Sequence, residues 1–384
     1  MTREPVFLTG ATGFLGMELL ARYLERTDCE IFALVRARDD DEAESRLRGV
    51  MSLVLPDPSA YADRVVAVRG DVTEPGLGIS DRRRRAIARE VGEVVHSAAS
   101  VSFSLPLGES RAINVAGTER ILDFAQLCLD SGGLRRLAHV STAYVAGGHR
   151  GTFREDDLDV GQGFRNPYEL SKFESERLVR EQMDLLPIQV FRPSIVVGEQ
   201  TTGWTPTFNV IYWPLRAFSK GAYAAIPARR SAPVDVVPVD FVADAIFELT
   251  RRLDGAGETY NLAAGSQAAT VGELIDRGSS YFDQRPPTVI PPRLYRRVAH
   301  PLLMRTGSPR RRAALARSEV FFPYFAMRVR YDTTRVTERL RETGIAAPPL
   351  RDYFDRLLDY AVAAKWGRRG STRIEAVRPA LALA

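Results

Sequence analysis

The chain has 384 residues, of which 45% are hydrophobic and 26% are charged, and its formal net charge is +5. This composition is ordinary for a soluble globular protein and excludes a wholly disordered or fibrous chain. The length is sufficient for one large α/β domain with an appended region, or for two domains. Positive charge comes almost entirely from arginine and accompanies no recognition module such as a helix-turn-helix, so we expect no nucleic-acid partner.

The first residues, MTREPVFLTGATGFLG, run directly into a glycine-rich turn and lack the features of a secretory signal. No uncharged apolar run approaches the roughly 20 residues that span a bilayer, so we expect a cytoplasmic protein. The two cysteines, Cys29 and Cys128, lie within apolar-periodic segments and are predicted to be buried thiols. The four histidines are scattered and no cysteines are paired, so we predict no metal site.

Strand-like runs alternate with amphipathic helical segments over the first half of the chain. The strand-like runs are PVFLTG, EIFALVR, RVVAVRGD, EVVHSAA, RLAHVST and IQVFRPSIVVG, and the helical segments cover 16–25, 41–54, 107–129 and 167–185. Apolar strands separated by helices are typical of a parallel sheet covered on both faces. The sequence therefore predicts an α/β fold with a doubly wound, Rossmann-type parallel sheet.

The regular alternation weakens after Gly198, where proline-rich and aromatic segments begin. Two later runs, VDVVPV and TYNLAAG, are again strand-like. We predict three regions. Residues 1–200 form the sheet domain, to which 235–265 return; residues 201–234 and 266–367 form a smaller, mostly helical substrate-binding region; and residues 368–384, which lack periodicity, form a frayed tail.

A glycine-rich turn, TGATGFLG, connects the first strand to the first helix. Glycine permits a tight backbone turn, and the N-terminus of the following helix offers free N–H groups and a positive dipole end to a pyrophosphate. This context predicts a dinucleotide site. Its predicted residues are Gly10, Thr12, Gly13, Phe14, Leu15 and Gly16. The alternative is a glycine-rich loop that only packs the helix on the sheet.

The end of the second strand, ALVRARDD, carries arginine where an acidic residue would bind the adenosine ribose. Arg36, with Arg46 ten residues on, suits a 2′-phosphate, so we predict NADPH as the cofactor. The alternative is that arginine is simply abundant here, because 39–41 are aspartates. After the third strand, Asp71, followed by Val72, is predicted to accept from the adenine amino group; alternatively, it only caps its own loop.

Tyr168 and Lys172 stand four residues apart in NPYELSKFESERLV, and Lys172 is one of only three lysines in the chain. On a helix both side chains lie on one face, about 5–6 Å apart at Cβ. A nearby ammonium favours the phenolate and is expected to lower the tyrosine pKa, and the same group suits the nicotinamide ribose. The pair thus predicts a proton donor with its activating lysine, although an ordinary surface pair is the alternative.

Two upstream segments add further candidates for the same site. The fifth strand ends with Ser141 and Thr142, whose hydroxyls suit a carbonyl oxygen, and Asn114 in NVAGT is placed to hold a water linked to the lysine. TGxxGxxG, the asparagine, the strand-end hydroxyls and Tyr-x-x-x-Lys together resemble the extended short-chain dehydrogenases/reductases. This resemblance implies Thr142, rather than Ser141, as the catalytic hydroxyl. It also implies cofactor contacts from Tyr168, Lys172, Ala98, Ala99, Pro193 and Val196.

A narrower resemblance covers residues 1 to about 265. GDVTEPGLGIS, HSAASVSF, HVSTAYVAG, YELSKFESERLV and FRPSIVVG, in this order, resemble the thioester reductase and fatty acyl-CoA reductase branch, also called male-sterility-like. This implies NADPH-dependent reduction of an acyl thioester to an aldehyde, or onward to the primary alcohol. Because nothing in the chain resembles an adenylation or carrier domain, the substrate is expected on CoA or on a separate acyl carrier protein.

Two segments beyond the motifs have open interpretations. The basic segment 293–317 is predicted to meet CoA phosphates, an acidic carrier or, through Leu302, Leu303 and Met304, an anionic membrane; an ordinary solvated helix is the alternative. FNVIYWPLRAF, residues 208–218, is either the wall of an acyl pocket or plain core. One rival function is an epimerase, dehydratase or hydroxysteroid-type dehydrogenase that uses the same Tyr and Lys on a sugar nucleotide, a sterol or another ketone or alcohol. The other is a non-catalytic NADP(H) sensor.

Overall fold

In the computed structural model, residues 4–252, 254–306 and 308–381 are described, and strands alternate with helices along most of the chain. The strands are β1 (Val6–Thr9), β2 (Ile31–Val35), β3 (Val65–Arg69), β4 (Glu93–His96), β5 (Arg136–Val140), β6 (Arg150–Phe153), β7 (Ile188–Pro193), β8 (Ile195–Val197), β9 (Ala225–Pro227), β10 (Pro233–Val234), β11 (Val236–Pro238), β12 (Thr259–Leu262), β13 (Ala269–Thr270), β14 (Thr288–Ile290) and β15 (Arg328–Tyr331).

The helices lie between these strands and dominate the last third of the chain. They are α1 (Phe14–Arg26), α2 (Asp40–Val54), α3 (Asp81–Glu90), α4 (Leu107–Asn114), α5 (Ala116–Ser131), α6 (Pro167–Glu181), α7 (Tyr212–Ser219), α8 (Val239–Thr250), α9 (Val271–Phe282), α10 (Pro292–Leu294), α11 (His300–Thr306), α12 (Pro309–Ser318), α13 (Thr334–Leu340), α14 (Phe354–Ala363) and α15 (Arg373–Leu381).

Seven strands form one parallel sheet in the order β12-β7-β5-β4-β1-β2-β3. Helices α1, α2 and α8 cover one face and α3, α5 and α6 the other, which explains why β2 reads IFALV and is buried throughout. From β1 the chain adds β2 and β3 on one side of the sheet and then β4, β5, β7 and β12 on the other. Ligands of such sheets bind at this switch point, beyond the carboxyl ends of the strands. The predicted fold class is confirmed.

Two predicted elements are divided in the structure. The helical segment 107–129 is α4 followed by α5, and the Thr118 hydroxyl donates to the Asn114 carbonyl at 2.7 Å close to the break. A threonine that bonds the preceding turn in this way bends a helix. Likewise, the run from Ile188 is β7 followed by β8, and β8 leaves the central sheet to pair with β11.

The C-terminal region joins the sheet domain through a short parallel pair and a buried carboxylate. Strand β15 pairs with β6, and Glu155, just beyond β6, accepts from the backbone N–H groups of Asn261, Arg335 and Val336 at 3.2, 2.8 and 3.3 Å. A carboxylate that satisfies three backbone donors fixes the start of α13 against the end of β12. This joint positions β15, and with it Tyr331, relative to the sheet.

The tail differs from the frayed segment predicted for 368–384. Helix α15 covers Arg373–Leu381, and Arg373 forms an ion pair with the buried Glu199. The Trp204 indole also donates to the Ser371 carbonyl at 3.0 Å. These tertiary contacts order a stretch with little periodicity of its own; residues 382–384 lie outside the described residues.

Both cysteines are buried free thiols, as predicted. Within the described residues, no helix combines the length and apolar character needed to cross a membrane. The same part of the chain contains no cluster of three or more histidine, cysteine or acidic side chains arranged to hold a metal ion.

Candidate active site

The turn between β1 and α1 is a cradle formed by backbone. Gly10 has φ +76°, and a Cβ there would lie 2.7 Å from the Ala98 nitrogen; at Gly16, a Cβ would lie 2.0 Å from the Gly10 carbonyl oxygen. Gly13 caps α1 without a side-chain hydrogen bond, and the first turn carries no acidic residue. The N–H groups of this helix end are therefore open to an anion, and the residues present fit a pyrophosphate. Thr12, Phe14 and Leu15 are half-buried around the same turn.

After β2, two acidic side chains have hydrogen-bond or ion-pair partners, whereas Arg36 is exposed at the surface. Asp39 caps α2 by accepting from the Glu42 N–H at 2.8 Å, and Glu42 forms an ion pair with Arg38 at 2.8 Å. Arg36 is exposed, and the Arg46 guanidinium donates to its carbonyl oxygen. The arrangement leaves Arg36 and Arg46 side by side, which fits a phosphate group at this edge.

Asp71 and Val72 both contact neighbouring residues of the protein. One Asp71 carboxylate oxygen accepts from the Thr73 backbone and hydroxyl, both at 2.8 Å, which is the loop cap considered above as the alternative. Val72 is buried, and Gly117 of α5 lies against its side chain. A contact of Asp71 with adenine stays a prediction.

The two strand-end hydroxyls after β5 have different surroundings. Ser141 donates to Glu176 at 2.6 Å, and Glu176 forms a fully buried ion pair with Arg192, also at 2.6 Å. This hydroxyl is therefore committed to a structural cluster. Thr142 instead donates to the carbonyl of Pro193 at 3.4 Å, a long hydrogen bond that leaves its hydroxyl available, and this supports the choice of Thr142 over Ser141.

Tyr168 is placed by the first turn of α6. The Asn166 side chain caps this helix by accepting from the Glu169 N–H at 3.0 Å, and Pro167 occupies the first position, where its missing N–H costs nothing. Burial raises the pKa of Tyr168 to about 12, opposed by a hydrogen bond with Thr142. This differs from the lowered pKa expected from the sequence, because desolvation of the buried phenol is the dominant effect.

Lys172 lies one turn below Tyr168 and is buried. Its ammonium donates to the carbonyl of Val140, the last residue of β5, at 2.9 Å. Burial lowers the pKa of Lys172 to about 8, opposed by the nearby Glu176 carboxylate. The structure thus brings Thr142, Tyr168 and Lys172 together where β5 meets α6.

Asn114 is close to this group but bonds to different partners. Its amide nitrogen donates to the Ser100 carbonyl at 3.1 Å and to the Ser171 hydroxyl at 3.0 Å, and its oxygen accepts from the Ser100 N–H at 2.8 Å. These bonds anchor the loop after β4 to α6. The predicted water between Asn114 and Lys172 stays a prediction.

The remaining predicted cofactor residues lie along the same edge of the sheet. The Ala98 N–H donates to the Thr9 hydroxyl at 3.2 Å, which fixes the turn after β4 beside the glycine turn, and Ala99 follows it. Pro193 ends β7, and Val196 lies in β8 beside Val237. Ala98, Ala99 and Val196 are half-buried, whereas Pro193 is buried.

A buried polar chain lies beneath the site and was not predicted from the sequence. His96, the last residue of β4, contacts the hydroxyls of Thr9 at 2.8 Å and Thr118 at 3.3 Å, and Thr118 in turn contacts Ser175 at 2.9 Å. Burial lowers the pKa of His96 to about 3, with the Lys172 charge acting in the same direction, so the imidazole is neutral. A polar residue ending a predicted apolar strand is the signal that would have identified it.

Aromatic rings from the loop after β4 and from the C-terminal region cover the site. Phe103 lies 5.6 Å from the Tyr168 ring and stacks on Tyr324 at 5.2 Å, measured between centroids. The Tyr324 hydroxyl accepts from the Asn166 amide at 2.6 Å and donates to the buried carboxylate of Glu169 at 2.7 Å. Tyr324 therefore ties the C-terminal region directly to the turn that carries Tyr168.

Two adjoining apolar cavities extend from these rings. The inner cavity, about 60 Å³, is lined by side chains that include Tyr144, Ile195, Asp235 and Tyr331. The outer cavity, about 80 Å³, is lined by side chains such as Phe218. The walls of both cavities share Ile211, Pro214, Val234, Leu274 and Phe325. The predicted pocket segment 208–218 thus contributes side chains to both cavities.

The basic segment 293–317 lies beside the outer cavity. Leu302 is 57% exposed, whereas Leu303 and Met304 pack against the core cluster around Phe218. Of the three residues predicted to enter a membrane, only Leu302 is exposed. Gly307 and the side chains at 310, 311 and 317 lie outside the described residues, and contact with a membrane, CoA or a carrier stays a prediction.

The parallel sheet, the glycine cradle and the Thr, Tyr and Lys group define a nicotinamide-dinucleotide-dependent oxidoreductase of Rossmann type. Residues 8–246 match the family described as Male sterility protein (NAD_binding_4), and the chain belongs to that family. The resemblance stated from the sequence is thereby confirmed, and the chain is an enzyme of the reductase class.

Individual relatives and structures agree with this membership. The chain is 30% identical over 278 residues to the fatty acyl-CoA reductase wat of Drosophila melanogaster, covering 63% of this chain and 53% of the relative. It is 31% identical over 287 residues to a carboxylic acid reductase of Mycobacterium marinum, covering 67% and 24%. The chain thus spans about half or less of these curated relatives. The terminal R domain of the myxalamid PKS-NRPS pathway is similar in structure, with 29% identity, a TM-score of 0.82 and coverage of 95% and 92%.

Proposed function

We propose that the chain reduces an acyl thioester to an aldehyde with NADPH. The observation that carries this proposal is the meeting of Thr142, Tyr168 and Lys172 at the carboxyl edge of the sheet, next to an apolar cavity that opens beside Tyr144. Family membership favours a carbonyl of the thioester type over the ketones and sugar nucleotides of the rival branches.

The bound dinucleotide supplies a hydride to the thioester carbonyl carbon. Thr142 and Tyr168 donate hydrogen bonds to the oxygen as negative charge develops, and Tyr168 transfers its proton there. A phenol with a pKa of about 12 retains this proton at neutral pH. Lys172 holds the ribose hydroxyls and stabilises the phenolate left behind. The hemithioacetal then loses its thiol to give the aldehyde, and a second round on that aldehyde would give the alcohol.

The preference for NADPH rests on Arg36 and Arg46. Both are exposed after β2, whereas the neighbouring acidic groups Asp39 and Glu42 are occupied by a helix cap and an ion pair. A doubly charged 2′-phosphate gains charge-assisted hydrogen bonds from the two guanidinium groups, but a ribose hydroxyl gains little from them.

The substrate arrives already activated, on CoA or on a carrier protein, and its acyl group enters the inner cavity. The lining of this cavity is almost wholly apolar, which suits a hydrocarbon chain. A solved relative of this fold is a thiolation-reductase di-domain, which fits carrier delivery. We place the interface for either carrier near the basic segment 293–317.

The test is NADPH consumption by purified protein with a long-chain acyl-CoA, the same acyl group on a carrier protein, and the matching aldehyde. We expect thioester-dependent consumption that Tyr168→Phe lowers about 100- to 10,000-fold, because a positioned general acid contributes on this order. NADPH binding, measured by fluorescence, should change little. Tyr61→Phe, at a tyrosine stacked on Arg64 far from the site, is the matched control and should retain full activity.

The arms of this experiment separate the alternatives. Consumption with the aldehyde shows that reduction continues to the alcohol. Loss of NADPH binding in Tyr168→Phe would mean that the tyrosine is structural. Absence of consumption with every thioester, together with NADPH binding, would contradict the proposed function and favour the epimerase, dehydratase or dehydrogenase branch; only failure with every carbonyl substrate would favour the sensor.

A further inference from the structure

The hydroxyl of Tyr324 lies between two side chains of the turn that carries Tyr168. It accepts from the Asn166 amide at 2.6 Å and donates to the Glu169 carboxylate at 2.7 Å. Asn166 stands two residues before Tyr168, and Glu169 stands one residue after it. Burial raises the pKa of Tyr324, so its hydroxyl keeps the proton that it donates at neutral pH. The C-terminal region therefore holds this turn on both sides of Tyr168.

The ring of Tyr324 reaches Tyr168 by a second route, through Phe103. It stacks on Phe103 with 5.2 Å between centroids and 22° between planes, and Phe103 in turn lies 5.6 Å from the Tyr168 ring. Ring pairs at these distances attract each other. Phe103 belongs to the loop after β4, and Tyr324 to the segment between α12 and β15. Tyr324 is therefore linked to the phenol both through the turn that carries it and through a neighbouring ring.

The start of α6 does not need Tyr324 for its own hydrogen bonds. The Asn166 side chain accepts from the Glu169 N–H at 3.0 Å, and the Glu169 carboxylate accepts from the Arg165 N–H and guanidinium at 2.9 and 3.0 Å. Reciprocal bonds of this kind satisfy the free N–H groups at a helix start. We therefore expect the helix to form without the Tyr324 hydroxyl, which instead fixes where its first turn lies relative to the C-terminal region.

We propose that Tyr324 is a positioning residue whose hydroxyl holds the Tyr168 phenol in the orientation that donates to the substrate oxygen. Proton transfer from a side chain depends on its distance and alignment, and a misplacement of about 1 Å costs on the order of 100-fold in rate. Because Tyr324 comes from the C-terminal region, the site is complete only when that region is packed on the sheet domain. This inference rests on the proposed function and adds to it a residue that acts through Tyr168.

The experiment measures kcat and KM of Tyr324→Phe, which keeps the ring and removes the hydroxyl, with the thioester that wild type reduces. We expect kcat to fall about 10- to 100-fold, because the phenol is less well aligned, while the KM values for NADPH and for the thioester change little. Denaturant unfolding checks that the variant is folded under the assay conditions.

Tyr353→Phe is the matched control. Tyr353 is also buried in the C-terminal region, and its hydroxyl donates to the Val236 carbonyl at 3.1 Å. It lines neither cavity and makes no contact with the turn of Tyr168. The control thus removes one buried hydrogen bond from the same region and should keep the wild-type kcat.

A double variant separates positioning from a general structural role. In Tyr168→Phe the residual single-turnover rate no longer depends on the phenol, so adding Tyr324→Phe should leave this rate unchanged. A second fall of about 10- to 100-fold in the double variant would mean that Tyr324 supports the fold or another part of the site, and it would overturn the inference.

The remaining outcomes separate this inference from the reaction itself. A wild-type kcat in Tyr324→Phe, or an equal loss of kcat in Tyr353→Phe, would overturn the role of Tyr324 while leaving the reductase intact. Failure of wild type to reduce any thioester would overturn the proposed function, and this inference with it.

Discussion

The sheet side and the C-terminal side of the candidate site use polar groups differently. On the sheet side, the Lys172 ammonium, the Asn114 amide and the Ser141 hydroxyl each have a hydrogen-bond partner within 3.1 Å. On the C-terminal side, the inner cavity is lined mostly by apolar side chains, with Asp235 and three tyrosines among them. A fixed polar frame suits one reaction with one cofactor, whereas a mostly apolar wall suits the binding of an acyl group.

This division predicts that substitutions on the two sides change different properties. Changes on the sheet side should affect stability, cofactor choice or the pH profile, and they should not depend on the acyl group. Changes to apolar residues on the C-terminal side should alter acyl selectivity and leave cofactor affinity unchanged.

The largest effect is expected from the buried ion pair beneath the catalytic helix. Arg192→Met leaves the Glu176 carboxylate, which is fully buried, without its main partner. Removing one partner of such a pair costs about 3–5 kcal/mol of folding free energy, to be measured by denaturant unfolding at neutral pH. Burial alone would raise the pKa of Glu176, but Arg192 and Arg180 hold it below its ordinary value, so this stabilisation is present at neutral pH and lost on acidification.

The control for this prediction is Arg230→Met. Arg230 pairs with Asp276 at the same distance of 2.6 Å, but both side chains are more than half exposed. Exposed pairs contribute about 0–1 kcal/mol, so this variant should unfold nearly as wild type does. Similar losses in the two variants would mean that the buried pair does not stabilise the sheet side as argued.

The second prediction concerns Leu274, which lies in the wall shared by the inner and outer cavities. Leu274→Trp adds bulk to the wall that both cavities share and should lower kcat/KM for long acyl thioesters by about 100-fold, since each methylene excluded from an apolar pocket is worth about 1–3 kcal/mol. Short acyl thioesters, which need only the inner cavity, should react as with wild type. The measurement is NADPH consumption across a chain-length series.

Leu294→Trp, at a residue that is 53% exposed on the basic segment, controls for the added bulk. If Leu274→Trp lowers kcat/KM equally at every chain length, or raises the KM for NADPH, the two sides are not separate in function. If its chain-length profile is the same as that of wild type, the acyl chain does not enter the outer cavity.

Much of the sheet side could be predicted from the sequence because its signals are local. A glycine turn between a strand and a helix, and a tyrosine and lysine four apart on a helix, specify geometry over a few residues. The lowered pKa predicted for Tyr168 was wrong, because the prediction considered the charge of Lys172 but not the burial of the phenol. Likewise, the partners of Asn114 are set by the loop after β4, which no spacing rule describes.

The C-terminal side could not be predicted in this way because its contacts are distant in sequence. The inner cavity combines Tyr144 with Tyr331, and these meet only because β15 pairs with β6 and Glu155 bonds the start of α13. An aromatic segment such as 208–218 has the same pattern whether it lines a cavity or fills a core.

The third prediction tests cofactor choice on the sheet side. Arg36→Ala should raise the KM for NADPH about tenfold or more, because charge-assisted hydrogen bonds to a 2′-phosphate are worth about 1.5–3 kcal/mol. The KM for NADH should change little, and relative activity across acyl groups should not change. Arg38→Ala is the matched control, since Arg38 already pairs with Glu42 and should affect neither cofactor. Equal effects of Arg36→Ala on both cofactors would contradict the assignment.

The smallest expected effect is a fall in kcat/KM at alkaline pH, caused by deprotonation of the buried Lys172. Burial lowers the pKa of Lys172 to about 8, whereas that of Tyr168 is about 12. The ammonium is therefore present below pH 8 and lost above it, while the phenol stays protonated throughout. We expect kcat/KM to fall about tenfold per pH unit above pH 8, because the free enzyme loses the charge that holds the ribose and stabilises the phenolate.

Lys172→Arg identifies the group responsible, since a guanidinium stays charged throughout this range. Its maximal kcat/KM should be lower than that of wild type, because the broad guanidinium fits the buried site beside Val140 poorly, but the decline above pH 8 should disappear. Lys220→Arg, at an exposed residue just after α7, should keep the wild-type profile. A decline that persists in Lys172→Arg would assign the titration to another group and would remove Lys172 from the proton-transfer step on the sheet side.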